Sequence, residues 1–361
     1  DPTGVQTVHD ISVYTNWEKA SIEQGFAEEN KLFYILTNSR GFTAAQTEKA
    51  HKEIAEVVDQ VAKETGKEYL FISRSDSTLR GHYPLETTIL KDEYEKNTGK
   101  KIDGEVLCPF FKEGGRFTID DVHYVQYDDT LVPAAETEFA KDKTFGYTVS
   151  NLKEYVEEKT QGAYKKENVT AISLENIREL NYDKIEEQLL AVEDFNKVIV
   201  NAIDYVDVKI FCVALFRAMK KGKNFMFRTA AAIVKVMGGV SNQPLLTREQ
   251  MVVKETDNGG IIVVGSHTDK TTRQMEKLRE NKDIAFVELN ATLVNDEAAF
   301  AEEVERCLAL EEEYISSGKS VCVYTTRALI TADTGDKEDD LRLSVRISDA
   351  VQSLVGRLTV T

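Results

Sequence analysis

In Tyr69-Leu70-Phe71-Ile72-Ser73-Arg74-Ser75-Asp76-Ser77-Thr78-Leu79-Arg80-Gly81-His82 a β-prone apolar run breaks abruptly into two guanidiniums, a carboxylate, hydroxyls and a glycine. A helical pattern follows. Strand, polar turn and helix in that order put the polar groups at the carboxyl edge of a sheet, where open α/β folds bind ligands. Arg74 and Arg80 supply planar forks suited to a carboxylate or phosphate. Asp76 can accept a proton or orient a hydroxyl, and Gly81 lets the backbone come close to a ligand. A purely structural reading competes on equal terms: Asp76 or Ser77 caps the helix and the arginines are solvated.

Outward from this stretch the chain keeps a βαβ rhythm. Before it, Lys31 to Thr37 reads as a strand, and Ala44 to Glu64 as a helix with Ala50, Ile54, Val57, Val58 and Val61 on one face. After it come a strand at Ile102 to Cys108 and a long loop, Pro109 to Tyr124, rich in Gly, Phe and Arg. Val169 to Leu174, a helix near Asp183 to Val192, and Lys197 to Ile203 continue the alternation. Val206 to Met219, broken by Asp207, Lys209 and Arg217, reads as a core helix and is no membrane span. Val240 to Gly260 lacks an apolar period and contains Pro244, as a linker would. A second α/β series follows, with strands at Ile261 to Val264, Ile284 to Leu289 and Ser320 to Thr325. The expected fold is α/β: two doubly wound, mostly parallel-sheet domains with a ligand cleft between them.

Composition agrees. With 361 residues the chain is long for one core. A net charge of −17 argues against nucleic acid, which asks for a basic footprint. It also means that an anionic ligand must be drawn in by a local basic site against the overall field. Cys108, Cys212, Cys307 and Cys322 are widely spaced, with no zinc or redox motif, and read as buried thiols of a cytoplasmic protein.

Asp76-Ser77-Thr78-Leu79-Arg80-Gly81 resembles the signature of the four-carbon acid sugar kinases, which phosphorylate acids such as threonate and erythronate with ATP. The opening Asp1-Pro2-Thr3-Gly4-Val5-Gln6-Thr7 is similar to that family's acidic-Thr-Gly turn. Pro109-Phe110-Phe111, Glu113-Gly114-Gly115-Arg116 and His123-Tyr124-Val125 resemble its mid-domain loop. Phe227-Arg228-Thr229-Ala230-Ala231 and Val264-Gly265-Ser266-His267 resemble segments around its nucleotide domain. The resemblance implies a sugar-acid-binding domain over 1–240, a linker over 241–260 and a nucleotide-binding domain over 261–361. The chain starts without Met inside the opening motif and stops before the family's glycine-rich closing segment, as a truncated form of a longer protein would.

Roles follow from the same resemblance. Arg74 and Arg80 would grip the acid's carboxylate, with Arg40 and Arg116 as further contacts, and Asp76 and Ser77 would bind its hydroxyls. Asp76 or Asp1 would take the proton of the attacking hydroxyl, and Asp1 could instead bind Mg²⁺. The turn Gly265-Ser266-His267 would receive ATP at a helix N-terminus. Arg116 and His123, in the long loop, could reach the substrate or close over it as a lid. Plainer readings stand beside these: Arg40 as a surface arginine, Arg116 as a helix cap, His123 packed against Tyr124, and Ser266 or Thr268 as an N-cap. Asp204 and Asp207 read as surface charges at a helix start. No metal-ligand set can be assigned. The partners implied are the sugar acid and ATP, with no nucleic acid and no membrane; self-association into a homodimer stays open. A non-catalytic acid-binding or regulatory protein is the alternative. A nicotinamide oxidoreductase fits the fold but lacks the glycine fingerprint.

Overall fold

The computed structural model describes residues 8–252, 257–332 and 334–358, and the chain divides after Leu245 into two units. The first opens with β1 (Val13–Tyr14), α1 (Lys19–Ala27) and β2 (Tyr34–Ile35), which pairs in parallel with β1. The strand expected over Lys31 to Thr37 is thus only two residues long. Its apolar residues Phe33 and Ile35 pack instead against Ile22 and Phe26 of α1 and Ile54 and Val58 of α2 (Ala44–Thr65). That helix forms as the 3.6-residue period demands. Thr43 and Gln46 close a capping box at its start, and Gly66 ends it with φ of 66°.

Next come β3 (Ile72–Arg74), α3 (Leu85–Thr98) and β4 (Gly104–Cys108). They are followed by β5 (Arg116–Ile119), β6 (Val122–Tyr127), β7 (Thr130–Pro133) and α4 (Leu152–Lys159). The unit continues with β8 (Thr170–Ile172), α5 (Leu174–Arg178), α6 (Tyr182–Leu190) and β9 (Asn196–Val200), and closes with α7 (Tyr205–Lys220), β10 (Phe225–Thr229) and α8 (Ala231–Met237). The main sheet has strand order β3-β10-β4-β9-β8, and every pairing in it is parallel. One face packs Val106, Val198 and Phe227 against Phe211 and Leu215 of α7; the other buries Leu107 and Ile199 against Leu152 and Tyr155 of α4. Covered on both faces, β4 and β10 are buried along their whole length, as central strands of a parallel sheet are.

Two expectations need correction. Pro109 to Tyr124 is not one long loop: β5, β6 and β7 form an antiparallel sheet over Arg116 to Pro133. The strand after Tyr69 lies further along, at Ile72–Arg74, and α3 starts only at Leu85, so Asp76 and Ser77 cap no helix. Phe227-Arg228-Thr229-Ala230-Ala231 forms the end of β10 and the start of α8 in the first unit. Asp204 and Asp207 do stand at a helix start, as a capping box for α7, but Asp207 is buried against Arg178.

The second unit holds α9 (Arg248–Met251), β11 (Ile261–Val264), α10 (Asp269–Leu278), β12 (Ile284–Leu289), α11 (Glu297–Ser316), β13 (Ser320–Thr325) and α12 (Lys337–Leu358). Its sheet is parallel, in the order β11-β13-β12. All four cysteines are free and buried. No helix among the described residues is long and apolar enough to cross a membrane.

Candidate active site

Between β3 and α3 the chain crosses the carboxyl edge of the main sheet in an irregular segment, Ser75 to Pro84. Its carbonyls are taken one after another by side chains from distant parts of the unit. His123 meets the Ser77 carbonyl at 2.8 Å, Tyr147 donates to that of Thr78 at 2.9 Å, and Tyr155 to that of Leu79 at 2.8 Å. Arg228 Nη2 donates to the carbonyls of Leu79 at 3.1 Å and Arg80 at 3.3 Å. Leu79 itself is buried in the left-handed region with φ of 69°, a conformation that a residue with a Cβ holds only when its surroundings impose it. Gly81 follows at φ of 128°, open in practice to glycine alone. The segment is a built loop.

On its outer side Asp76 is the hub. Arg80 Nε donates to its Oδ2 at 2.8 Å and Nη2 reaches Oδ1 at 3.5 Å; Thr78 Oγ1 also donates to it, and Arg40 stands 3.7 Å away. Burial alone would raise the Asp76 carboxyl, but the charge and hydrogen bonds of Arg80, with Arg40 and Thr78, overcome it and hold the group at about 2. It is ionised at any working pH. Arg80 also faces Asp142 at 3.7 Å and lies over the Phe139 ring at 5.0 Å; Arg116 lies over the same ring at 5.4 Å. Burial lowers the basicity of Arg116 and Arg74, while Asp76 acts on both to keep their charge. Arg40, Arg74, Arg80 and Arg116 thus gather around one carboxylate, a cationic cluster on a strongly acidic protein. Ser77 lies inside the loop, anchored by its carbonyl.

His123 is fully buried, with Nδ1 3.0 Å from the Thr118 hydroxyl. Because a carbonyl only accepts, Nε2 carries the proton toward Ser77, and Nδ1 accepts from Thr118. Burial pushes this imidazole down to about 4, so it is neutral and holds the loop instead of contacting an anion by charge. Packing against Tyr124 is not its main role.

In the second unit the turn Gly265 to Thr268 connects β11 to α10, at the carboxyl end of its strand. Thr268, not Ser266, is the N-cap, accepting from Thr271 N. Ser266 Oγ lies 3.2 Å from Thr268 Oγ1 and 3.1 Å from Thr271 Oγ1. His267 Nε2 is 2.9 Å from the Thr326 carbonyl. Among the described residues, a Cβ on Gly265 would meet nothing within 4 Å, so they leave the space above this backbone open. Arg327, which sequence reasoning missed, donates to the Ser266 carbonyl at 2.5 Å and to Thr272 Oγ1 at 2.7 Å. Asp1 lies outside the described residues, and among those described no group of three or more His, Cys, Asp or Glu side chains could hold a metal ion.

The two units correspond to two recognised domains. Residues 1–237 match the family model of a sugar-binding N-terminal domain, and residues 261–361 that of a nucleotide-binding C-terminal domain. The protein is therefore of the class that pairs a sugar site with a nucleotide site. It belongs to the four-carbon acid sugar kinase family. No curated protein matches the chain significantly. Among solved structures, it is similar to a Salmonella typhimurium LT2 protein provisionally described as a tRNA synthase, at 14% identity and a TM-score of 0.56, over 95% of this chain and 81% of the other. It also aligns with a Haemophilus influenzae protein of family DUF1537, at 16% identity and a TM-score of 0.47, over 96% of this chain and 81% of that one. A Bordetella bronchiseptica DUF1537 domain, a domain-swapped dimer with bound citrate, aligns at 16% and 0.43 over 96% and 79%. The likeness to the Salmonella protein concerns the fold alone.

Proposed function

We propose that this protein is an ATP-dependent kinase for a hydroxyl of a four-carbon sugar acid of the threonate or erythronate kind. The observation that carries this reading is the Asp76 hub: an ionised carboxylate ringed by guanidiniums on a tightly held loop of the sugar-binding domain. Guanidiniums bind a carboxylate by two parallel donors, and a fixed carboxylate binds hydroxyls. Together they select an acid that carries hydroxyls. In this reading Arg80, Arg74, Arg40 and Arg116 hold the acid's charge, while Asp76 and Ser77 hold its hydroxyls.

A carboxylate at about 2 is a weak base. Phosphoryl transfer passes through a loose transition state in which the attacking hydroxyl keeps its proton until late, so orientation matters more than basicity. Asp76 aligns that hydroxyl and receives its proton as the new P–O bond forms and the bond from the γ-phosphorus to the bridging oxygen breaks, releasing ADP. The Gly265-Ser266-His267 turn offers exposed backbone, the Ser266 hydroxyl and the N-terminus of α10 to the phosphates of ATP. Mg²⁺ would arrive on those phosphates and neutralise their charge; the described residues show no carboxylate cluster to hold it apart from ATP.

Titration calorimetry with the D and L forms of threonate and erythronate tests the acid half of the proposal, with butyrate as an acid of equal charge without hydroxyls. One of the four should bind at least about tenfold more tightly than butyrate, since a site built for hydroxyls rejects an analogue that lacks them. Equal affinity for all five would contradict the reading.

A further inference from the structure

Three adjacent strands in the middle of the main sheet each carry one charged residue in an otherwise apolar run: Glu105 on β4, Lys197 on β9 and Arg228 on β10. Glu105 and Lys197 are fully buried and Arg228 is 3% exposed. Glu105 and Lys197 are opposite each other in register, with Nζ and Oε2 2.7 Å apart. The Tyr83 hydroxyl donates to the same carboxylate at 3.3 Å. The Arg228 guanidinium lies over the Tyr83 ring at 4.8 Å and near Tyr155 at 5.9 Å, and ends on the Leu79 and Arg80 carbonyls. On α3, buried Glu86 accepts from Ser39 Oγ at 2.9 Å, next to Arg40. A Cβ on Gly81 would come within 3.8 Å of this Glu86 carboxylate and 3.9 Å of Arg228 Nη2.

Buried ion pairs are a poor means of stabilising a fold, because desolvation offsets most of their attraction. Such a layer directly beneath one loop points to a task other than stability. Lys197 and Arg228 balance Glu105 and Glu86, so the layer is neutral in itself and leaves the outer cluster around Asp76 to meet an anion.

We propose that Arg228 is a positioning residue: from β10, between β3 and β4, it clamps the Leu79 and Arg80 carbonyls, and so aims the Asp76 and Arg80 side chains without touching the acid itself. The inference rests on the reading of this loop as the acid site. Buried in the sheet, Arg228 acts from behind the loop, and Tyr83, held by Glu105, forms the wall that fixes its guanidinium.

Hydrogen exchange of the ligand-free protein separates this inference from the kinase reading, because it needs no turnover. Arg228→Met should raise amide exchange at least about tenfold in residues 75–83, with the other sheet strands unchanged. In kinetics the KM for the acid should rise by about tenfold or more, with the KM for ATP within about twofold. Arg228→Lys, which retains the charge but not the fork, should show the same loop-confined exchange at smaller amplitude, and it carries the test if the methionine variant does not fold. Exchange raised throughout the unit in both variants would make Arg228 a plain structural residue and overturn the proposal. Unchanged exchange in the loop with lost acid binding would place Arg228 on the acid itself and overturn it equally. If the wild type turns over no acid, the kinase reading fails while the exchange result still decides the role of Arg228 in the loop.

Discussion

Replacing Arg80 by Lys keeps the charge and removes the fork. In the native arrangement Arg80 spends two donors on Asp76, Nε at 2.8 Å and Nη2 at 3.5 Å, and its Nε also lies 3.2 Å from Thr78 Oγ1. An ammonium group is a single point on a flexible stem and cannot brace Asp76 while presenting a parallel pair of donors to a ligand. The change forfeits at least one charge-assisted hydrogen bond, about 1.5–3 kcal/mol. That corresponds to an acid affinity roughly tenfold to a hundredfold lower. Because Arg80 is also a main reason why Asp76 stays ionised, the carboxyl should move up from about 2. The assay is ADP release over a range of acid concentrations at saturating ATP, repeated over ATP at saturating acid. Arg80→Lys should raise the acid KM with little change for ATP. A variant within about twofold of wild type in both would show that the Arg80 fork has no part in acid binding, and the assignment of the loop would fall with it.

Ser266→Ala should weaken nucleotide binding by about 1.5–3 kcal/mol and leave acid binding unchanged in calorimetry; equal loss of both ligands would point to a folding defect instead. Burial holds His123 near 4, whereas an exposed histidine titrates near 6.5, so between these values the unfolded chain binds the extra proton. Urea-measured stability should therefore fall by up to roughly 3 kcal/mol as pH drops through that window, and His123→Gln should flatten this part of the profile. Glu311 on α11 is buried, neither carboxylate oxygen has a hydrogen-bond partner among the described residues, and burial raises it to about 7 from 4.5. Here the folded state keeps the proton, so stability is lost as pH rises through that range. Glu311→Gln should raise stability at pH 8 by about 1–3 kcal/mol relative to wild type and change little at pH 4; an unchanged difference between these pH values would refute the assignment.

Local order made much of this readable beforehand. α2 declares itself by the spacing of Ala50, Ile54, Val58 and Val61, and β4 and β9 by apolar runs of the kind that doubly covered strands need, whereas β10 was not read as a strand. The Asp76-to-Gly81 stretch stood out as a candidate because its charged groups are close in sequence. What stayed hidden is long-range. His123 reaches a loop carbonyl 46 positions away, Tyr147 one at 69 and Arg228 one at 149. No periodicity records such pairings. The β5-β6-β7 sheet was missed because its strands are only four to six residues long and carry Arg116, His123 and Gln126 among their apolar positions. One signal could have been used: a single charge within each of three apolar strand runs, at Glu105, Lys197 and Arg228, is costly unless it serves something.

The central claim, transfer of a phosphoryl group from ATP to a hydroxylated four-carbon acid, is tested most directly by incubating the protein with Mg²⁺-ATP and each stereoisomer of threonate and erythronate. ADP release and the mass of the acid are followed together. The account predicts that at least one acid stimulates ADP release and gains the mass of one phosphoryl group in equal amount, and that Asp76→Asn abolishes both. ADP release that no acid stimulates, with no phosphorylated acid formed, would contradict it.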